Sequence, residues 1–134
     1  MDESGVNEAS NKFRERYDLD ARKRHFERVM ASSKAEGRTP VILEPEPGCK
    51  FDTDAFKTVK RLCDRSITMS HMVLIARANI PSKLISPNEA IYLLVGEGNN
   101  TLVNGPTPIA DVYDKYKDED GFLYITFTSE NTFG

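Results

Sequence analysis

Thr68-Met69-Ser70-His71-Met72-Val73-Leu74-Ile75-Ala76-Arg77-Ala78-Asn79-Ile80-Pro81, followed after a polar connection by Ala90-Ile91-Tyr92-Leu93-Leu94-Val95, is the stretch that decides the fold. Thr68 to Ser70 open a helix whose apolar set is Met69, Met72, Val73, Ile75 and Ala76, and the pattern ends before Pro81. The run at 90–95 is continuously apolar and short, which predicts a buried strand. One helix leading into one buried strand sets the centre of a domain in which a helix crosses a sheet.

Outward from that centre the signals alternate between strand and turn. Upstream, Thr39-Pro40-Val41-Ile42-Leu43 is a β-rich run stopped by Pro45, Pro47 and Gly48. Residues 55–63 alternate loosely, with Phe56, Val59 and Leu62 apolar and Lys57, Lys60 and Arg61 charged. Lysines there suit an edge strand, where charge discourages accidental pairing. Downstream, Gly96, Gly98, Asn99 and Asn100 form a turn, and 101–103 is a short strand ended by Asn104-Gly105-Pro106. Residues 108–116 carry Ile109, Val112, Tyr113 and Tyr116 on one helical face, and 122–127 is the last strand, entered by Gly121.

Before the first strand the character is basic. Residues 12–38 hold nine Lys/Arg against five acids, net +4, while 111–134 hold six acids against two bases, net −4. Phe13 and Tyr17 are four apart, and Phe26, Val29 and Met30 share a face. A short helix followed by a leading helix over 20–37 is predicted, with Asp20 as N-cap, Gly37 as C-cap and basic outer faces. Residues 1–11 are small and polar and are expected to be disordered, within a flexible 1–19 segment.

The predicted order is two helices, then ββαβ(β)αβ. That is an α+β domain of the β-grasp arrangement: a mixed four-stranded sheet, or five-stranded if the run at 101–103 joins it, with a crossing helix, preceded by two N-terminal helices. The chain of 134 residues suffices for one domain and can bury a core without disulfides or metal. Hydrophobic residues at 39% and charged residues at 29% exclude collagen-like, disulfide-scaffold and fully disordered classes. A net charge of −3 gives no argument for nucleic-acid binding. Cys49 and Cys63 make no disulfide framework, and with His25 and His71 far apart no metal-ligand spacing arises. The first twenty residues contain no apolar signal-peptide core, and no run is long enough to span a bilayer. A cytoplasmic protein with free thiols is expected, and any membrane attachment must be added to it.

The C-terminal strings carry a resemblance. Lys117-Asp118-Glu119-Asp120-Gly121-Phe122-Leu123-Tyr124 and Glu130-Asn131-Thr132-Phe133-Gly134 resemble the ending of the ubiquitin-like autophagy modifiers, the microtubule-associated-protein light-chain and GABARAP proteins. The similarity continues through 40–44, 68–80, 91–95 and 106–113, covering roughly 20–134, and leans toward the light-chain branch. Three departures stand out. The family usually writes Lys-aromatic-Leu-Val-Pro where this chain has Lys60-Arg61-Leu62-Cys63-Asp64. Its basic run after the central helix is reduced to Arg77-Ala78-Asn79, and Pro81-Ser82-Lys83 is an insertion.

The resemblance implies a modifier joined through Gly134 to phosphatidylethanolamine, acting in autophagosome formation and cargo recruitment. Gly has no side chain to obstruct a narrow enzyme channel. The implied partners are activating and conjugating enzymes, a processing or deconjugating cysteine protease, phosphatidylethanolamine membranes, and receptors carrying aromatic-x-x-aliphatic motifs, with microtubules as a further one. No cofactor is implied, and the protein is the substrate of this chemistry. A flexible tail over 128–134 is expected. No residue follows Gly134, so the chain is either encoded mature or trimmed. The rival reading is a β-grasp adaptor that binds peptides or microtubules and is never conjugated.

The resemblance also implies a peptide groove along the second strand. Its aromatic pocket would use Glu27, Met30 or Ala31, Pro40, Ile42, Lys60, Leu62 and Phe122. Its aliphatic pocket would use Arg61, Cys63, Ile67, Met72 and Ile75. On pattern alone Ile42, Leu62, Ile75 and Phe122 read as core, and Lys60 as a solvated edge lysine. A basic patch of Arg22, Lys23, Arg24 and Arg28 reads as a solvated helix face or as a contact for acidic partners. Cys63 lies near Arg61 and Arg65 without a His/Asp partner, so it reads as a packing residue at a pocket wall. Asp118-Glu119-Asp120 lack the spacing of a calcium loop and read as turn residues in solvent.

Overall fold

The computed structural model describes residues 12–54, 56 and 58–129. The expectations for 1–11 and for the C-terminal strings beyond Ser129 lie outside the described residues. Among the described residues the α-helices and strands follow in chain order: α1 (Phe13–Arg16), α2 (Leu19–Met30), β1 (Arg38–Pro45), β2 (Val59–Asp64), α3 (Met69–Ala78), β3 (Ile91–Val95), β4 (Thr101–Leu102), α4 (Ile109–Tyr116) and β5 (Leu123–Ser129).

Among the described residues the sheet has five strands in the order β2-β1-β5-β3-β4, and the optional short strand expected at 101–103 is the two-residue β4, paired with β3. At its centre β1 runs parallel to β5, with Val41 opposite Leu123 and Leu43 opposite Ile125. β2 returns antiparallel along β1, with Pro40 opposite Leu62 and Ile42 opposite Lys60. β3 is antiparallel to β5.

Strand alternation divides the apolar residues between two faces. Val41, Leu43, Leu123, Ile125 and Phe127 join Met69, Met72, Ile75 and Ala76 of α3 and Ile109 and Val112 of α4 in the main core. Ile42, Phe122 and Tyr124 point the other way, toward α1 and α2, and form a second core with Phe13; Tyr17, Phe26 and Val29 pack against it.

Several boundaries differ from the sequence reading, each for a local reason. α2 begins at Leu19 because Asp18, not Asp20, caps it, its side chain accepting from Ala21 N at 2.9 Å. It stops at Met30 rather than Gly37, and Ser32 then accepts from Lys34 N to start the 3₁₀ turn Ser33–Ala35. β2 begins at Val59; Phe56 belongs to the preceding loop and packs its ring 5.2 Å from that of Phe127. Thr128 and Ser129 are buried and complete β5, so the strand extends past the expected start of the tail. Phe13 falls in the segment expected to be flexible, yet it is only 3% exposed and belongs to the packed domain.

Candidate functional site: a cation-rimmed groove beside β2

Among the described residues β2 is a sheet edge, paired with β1 on one side only. Its alternation puts Leu62 toward α2 and Cys63 toward α3. Between β2 and the end of α2 lies a cavity of about 390 Å³. Val29, Pro40, Leu62 and Phe122 supply its apolar lining, and Lys34, Arg38, Lys60 and Arg61 supply its charge. An apolar depression ringed by four cations is suited to an apolar side chain carried by an acidic chain.

The positive corner continues toward α2. Lys60 Nζ lies 3.3 Å from His25 Nε2 and 5.6 Å from the centre of the Phe13 ring. Burial, then Arg16 and Arg28, lower the pKa of Lys60 below the ordinary lysine value. Burial, then Lys60 and Arg28, lower that of His25, which keeps the imidazole neutral so that Nε2 accepts from the ammonium.

The structure brings Pro40, Lys60, Leu62 and Phe122 of the expected aromatic pocket to this cavity. Ile42 lies fully buried in the second core beside Phe122. Glu27 and Ala31 are exposed and Met30 half-buried, and none of the three lines the cavity. Arg61, expected at the aliphatic pocket, lines this cavity instead. The remaining aliphatic set does come together, but inside the main core. Cys63 and Met72 are 1% and 0% exposed with their sulfurs 3.9 Å apart, Ile75 is buried, and Ile67 packs against them. Burial pushes the Cys63 thiol up, against an opposing pull from Arg61, which leaves it a packing residue rather than a nucleophile.

Val29, Lys34 and Arg38 are lining residues that the sequence reading did not assign. Val29 was on the correct helical face, and both cations were in the basic count. What the sequence does not contain is the turn after Met30 that carries Lys34 and Arg38 back over the sheet edge.

The basic patch divides. Lys23, Arg24 and Arg28 are exposed. Arg22 turns inward, donating from Nε to Asp120 Oδ2 at 2.8 Å and from Nη1 to Tyr17 O at 2.8 Å. Burial pulls its pKa down, but the Asp120 hydrogen bond together with the charges of Tyr124, Asp120 and Asp118 outweighs that, and the value rises. Asp120 is therefore no solvent-facing turn residue: its side chain is fully buried and also accepts from Phe122 N and the Tyr124 hydroxyl. Burial first, then Asp120, push the Tyr124 phenol far above its ordinary value. Arg14 completes the cluster, 2.6 Å from Asp118 and 3.9 Å above the Tyr124 ring.

Among the described residues no group of three His, Cys, Asp or Glu side chains is placed to hold a metal ion, and no helix is long and apolar enough to cross a membrane.

Comparison with known proteins gives this fold a family. The family described as "Autophagy protein Atg8 ubiquitin like" matches residues 21–134. Autophagy-related protein 8 of Dictyostelium discoideum is 39% identical over 122 residues, covering 91% of this chain and 93% of that protein. Autophagy-related protein 8i of Arabidopsis thaliana is 36% identical over 122 residues, covering 91% and 97%. The crystal structure of Trypanosoma brucei ATG8 superposes with a TM-score of 0.74 at 26% identity, covering 93% of this chain and 99% of that one. These relatives do not resolve the light-chain branch. With family, fold and N-terminal helices in agreement, the chain belongs to the Atg8 family of ubiquitin-like autophagy proteins.

Proposed function

We propose that this chain is a modifier joined through Gly134 to phosphatidylethanolamine, and that on the autophagosome membrane it recruits receptors carrying aromatic-x-x-aliphatic motifs. Family membership supports the conjugation half. The single observation that carries the binding half is the one-sided edge of β2 running beside an apolar depression ringed by Lys34, Arg38, Lys60 and Arg61. An extended peptide adds to such an edge as a further strand, its backbone bonding to β2 and its aromatic side chain entering the depression over Leu62 and Phe122. Acidic residues flanking the aromatic one face the cations. Exposed pairs of this kind contribute about 0.2–1 kcal/mol each, so preference for acidic flanks is several-fold.

In the conjugation step the Gly134 carboxylate is activated with ATP and passed as a thioester between carrier enzymes. The lipid amine then attacks the thioester carbonyl, an amide forms and the thiol leaves. A cysteine protease exposes Gly134 or releases the lipid. Two acyl chains hold the product on a membrane where one would not, each buried CH₂ contributing about 0.8 kcal/mol. The unconjugated form is cytoplasmic.

Two measurements test this. Incubation with activating and conjugating enzymes, ATP and phosphatidylethanolamine liposomes should give a lipid adduct by mass spectrometry, and Gly134→Ala should give none. A chain that stays unmodified while still binding peptides or microtubules is the non-conjugated adaptor. Calorimetry with acidic-flanked and neutral-flanked motif peptides should favour the acidic one, and Arg61→Phe should shrink that preference; equal binding by the two peptides removes the cation rim from the site.

A further inference from the structure

We propose that residues 1–11 are a built-in occupant of the cavity between α2 and β2, lying across its cationic rim and competing with peptides from outside. This rests on the reading of the cavity as a peptide site and adds how the site is regulated.

Charge points to this segment. Residues 1–11 contain Asp2, Glu3 and Glu8 and no Lys or Arg, directly ahead of a stretch with net +4. Among the described residues Lys34, Arg38, Lys60 and Arg61 make no ion pair within 4 Å; Asp64 feels the charge of Arg38 without closing one. A rim of four cations and an adjoining segment of three carboxylates are complementary. Met1 and Val6 give that segment apolar side chains for a lining of Val29, Leu62 and Phe122.

Geometry permits it. The point of departure is pinned: Lys12 Nζ lies 2.7 Å from Asp52 and donates to Pro45 O, and Phe13 N donates to Glu44 at 2.7 Å. Pro45 ends β1, and Pro40, at the cavity, is five residues back along the same strand. That is about 17 Å at the rise of a strand. Eleven residues extend to about 36–40 Å, roughly twice what is needed. The return path passes Lys60, which stands over the Phe13 ring and lines the cavity. A tether this short holds the segment at an effective concentration on the order of millimolar, enough for weak contacts to compete.

The test uses the full chain and a full-length variant, Asp2→Asn/Glu3→Gln/Glu8→Gln, which keeps length and neutralises charge. Amide resonances of Lys34, Lys60 and Leu62 are compared without ligand, at low and high salt. An acidic-flanked aromatic-x-x-aliphatic peptide is then titrated into both. Cavity amides should differ between the two proteins at low salt and converge at high salt. The neutralised chain should bind the peptide about three- to tenfold more tightly. Cavity amides that coincide at low salt overturn the proposal. Differences that grow with protein concentration overturn it too, because the occupant is then a second copy. Salt-sensitive amide differences with no peptide binding to either protein uphold the internal occupant and refute the peptide-groove reading.

Discussion

The two faces of the sheet are built on different principles. Toward α3 and α4 the packing is mostly aliphatic and closed: Leu43, Met69, Met72, Leu93, Ile109 and Ile125 are all 0% exposed. Toward α1 and α2 the buried set is aromatic apart from Ile42, with Phe13 and Phe26 edge-on to Phe122 at 5.6 and 5.5 Å. That face is tied by named polar contacts, Arg22 to Asp120 and Arg14 over Tyr124. Part of it comes from α1, four residues long, which cannot hold as a helix without its tertiary contacts. A face closed by shape leaves little room for a ligand. A face assembled from rings and ion pairs on a separate segment leaves a cavity at its margin, and the candidate site is there.

The contrast can be broken by paired substitutions. Phe127→Ala, on the closed face, should cost about 3–5 kcal/mol in chemical denaturation, since Phe51 and Phe56 pack against that ring. Phe13→Ala, on the other, should cost only about 1.5–3 kcal/mol, because α1 can detach locally. Equal losses with equal denaturant slopes would mean that the faces unfold as one.

Gly121→Ala sharpens the second face. Gly121 has φ +101°, and a Cβ there would lie 2.6 Å from the Phe26 ring. We expect a loss of about 2 kcal/mol from strain and overlap together. Phe26→Ala should cost less in the Gly121→Ala background than alone; strict additivity would remove ring overlap as the cause.

The smallest effect is a pH dependence confined to the second face. The folded pKa of His25 lies below the ordinary 6.5, so its contribution to stability is present above pH 6.5 and is lost as pH falls through the folded value. With the imidazole part-exposed the change should stay under about 1 kcal/mol. His25→Gln should flatten that part of the stability profile; an unchanged slope would assign it to another group.

The closed face was legible in sequence because it rests on periodicity. The apolar positions of α3 and α4 and the run in β3 all lie where spacing put them. The second face was not, because it rests on long-range pairing. Arg22 reads as one more cation on a basic helix until Asp120, 98 positions later, is folded against it. Phe13 reads as half of a local pair with Tyr17, and nothing local says that Ile42 and Phe122 cover it. The groove was half legible: the family resemblance named the residues of β2, while Lys34 and Arg38 depended on where α2 stops. Strand alternation put Cys63 into the closed core beside Met72 of α3, where the family pattern alone would have opened a pocket.

The parallel pairing of β1 with β5 bears on how the molecule is made. Val41 must find Leu123, 82 positions later, before the middle of the sheet exists. During synthesis at about 5–20 residues per second, the β1–β2 hairpin and all four helices leave the ribosome ahead of the strand that joins them to β3. For those seconds β1 presents a free inner edge rich in Val41, Ile42 and Leu43, a template for pairing with the wrong chain. Closing so long a loop is also the slow kind of step in folding. A nascent chain of this protein therefore holds its helices and hairpin with no sheet centre between them until β5 emerges.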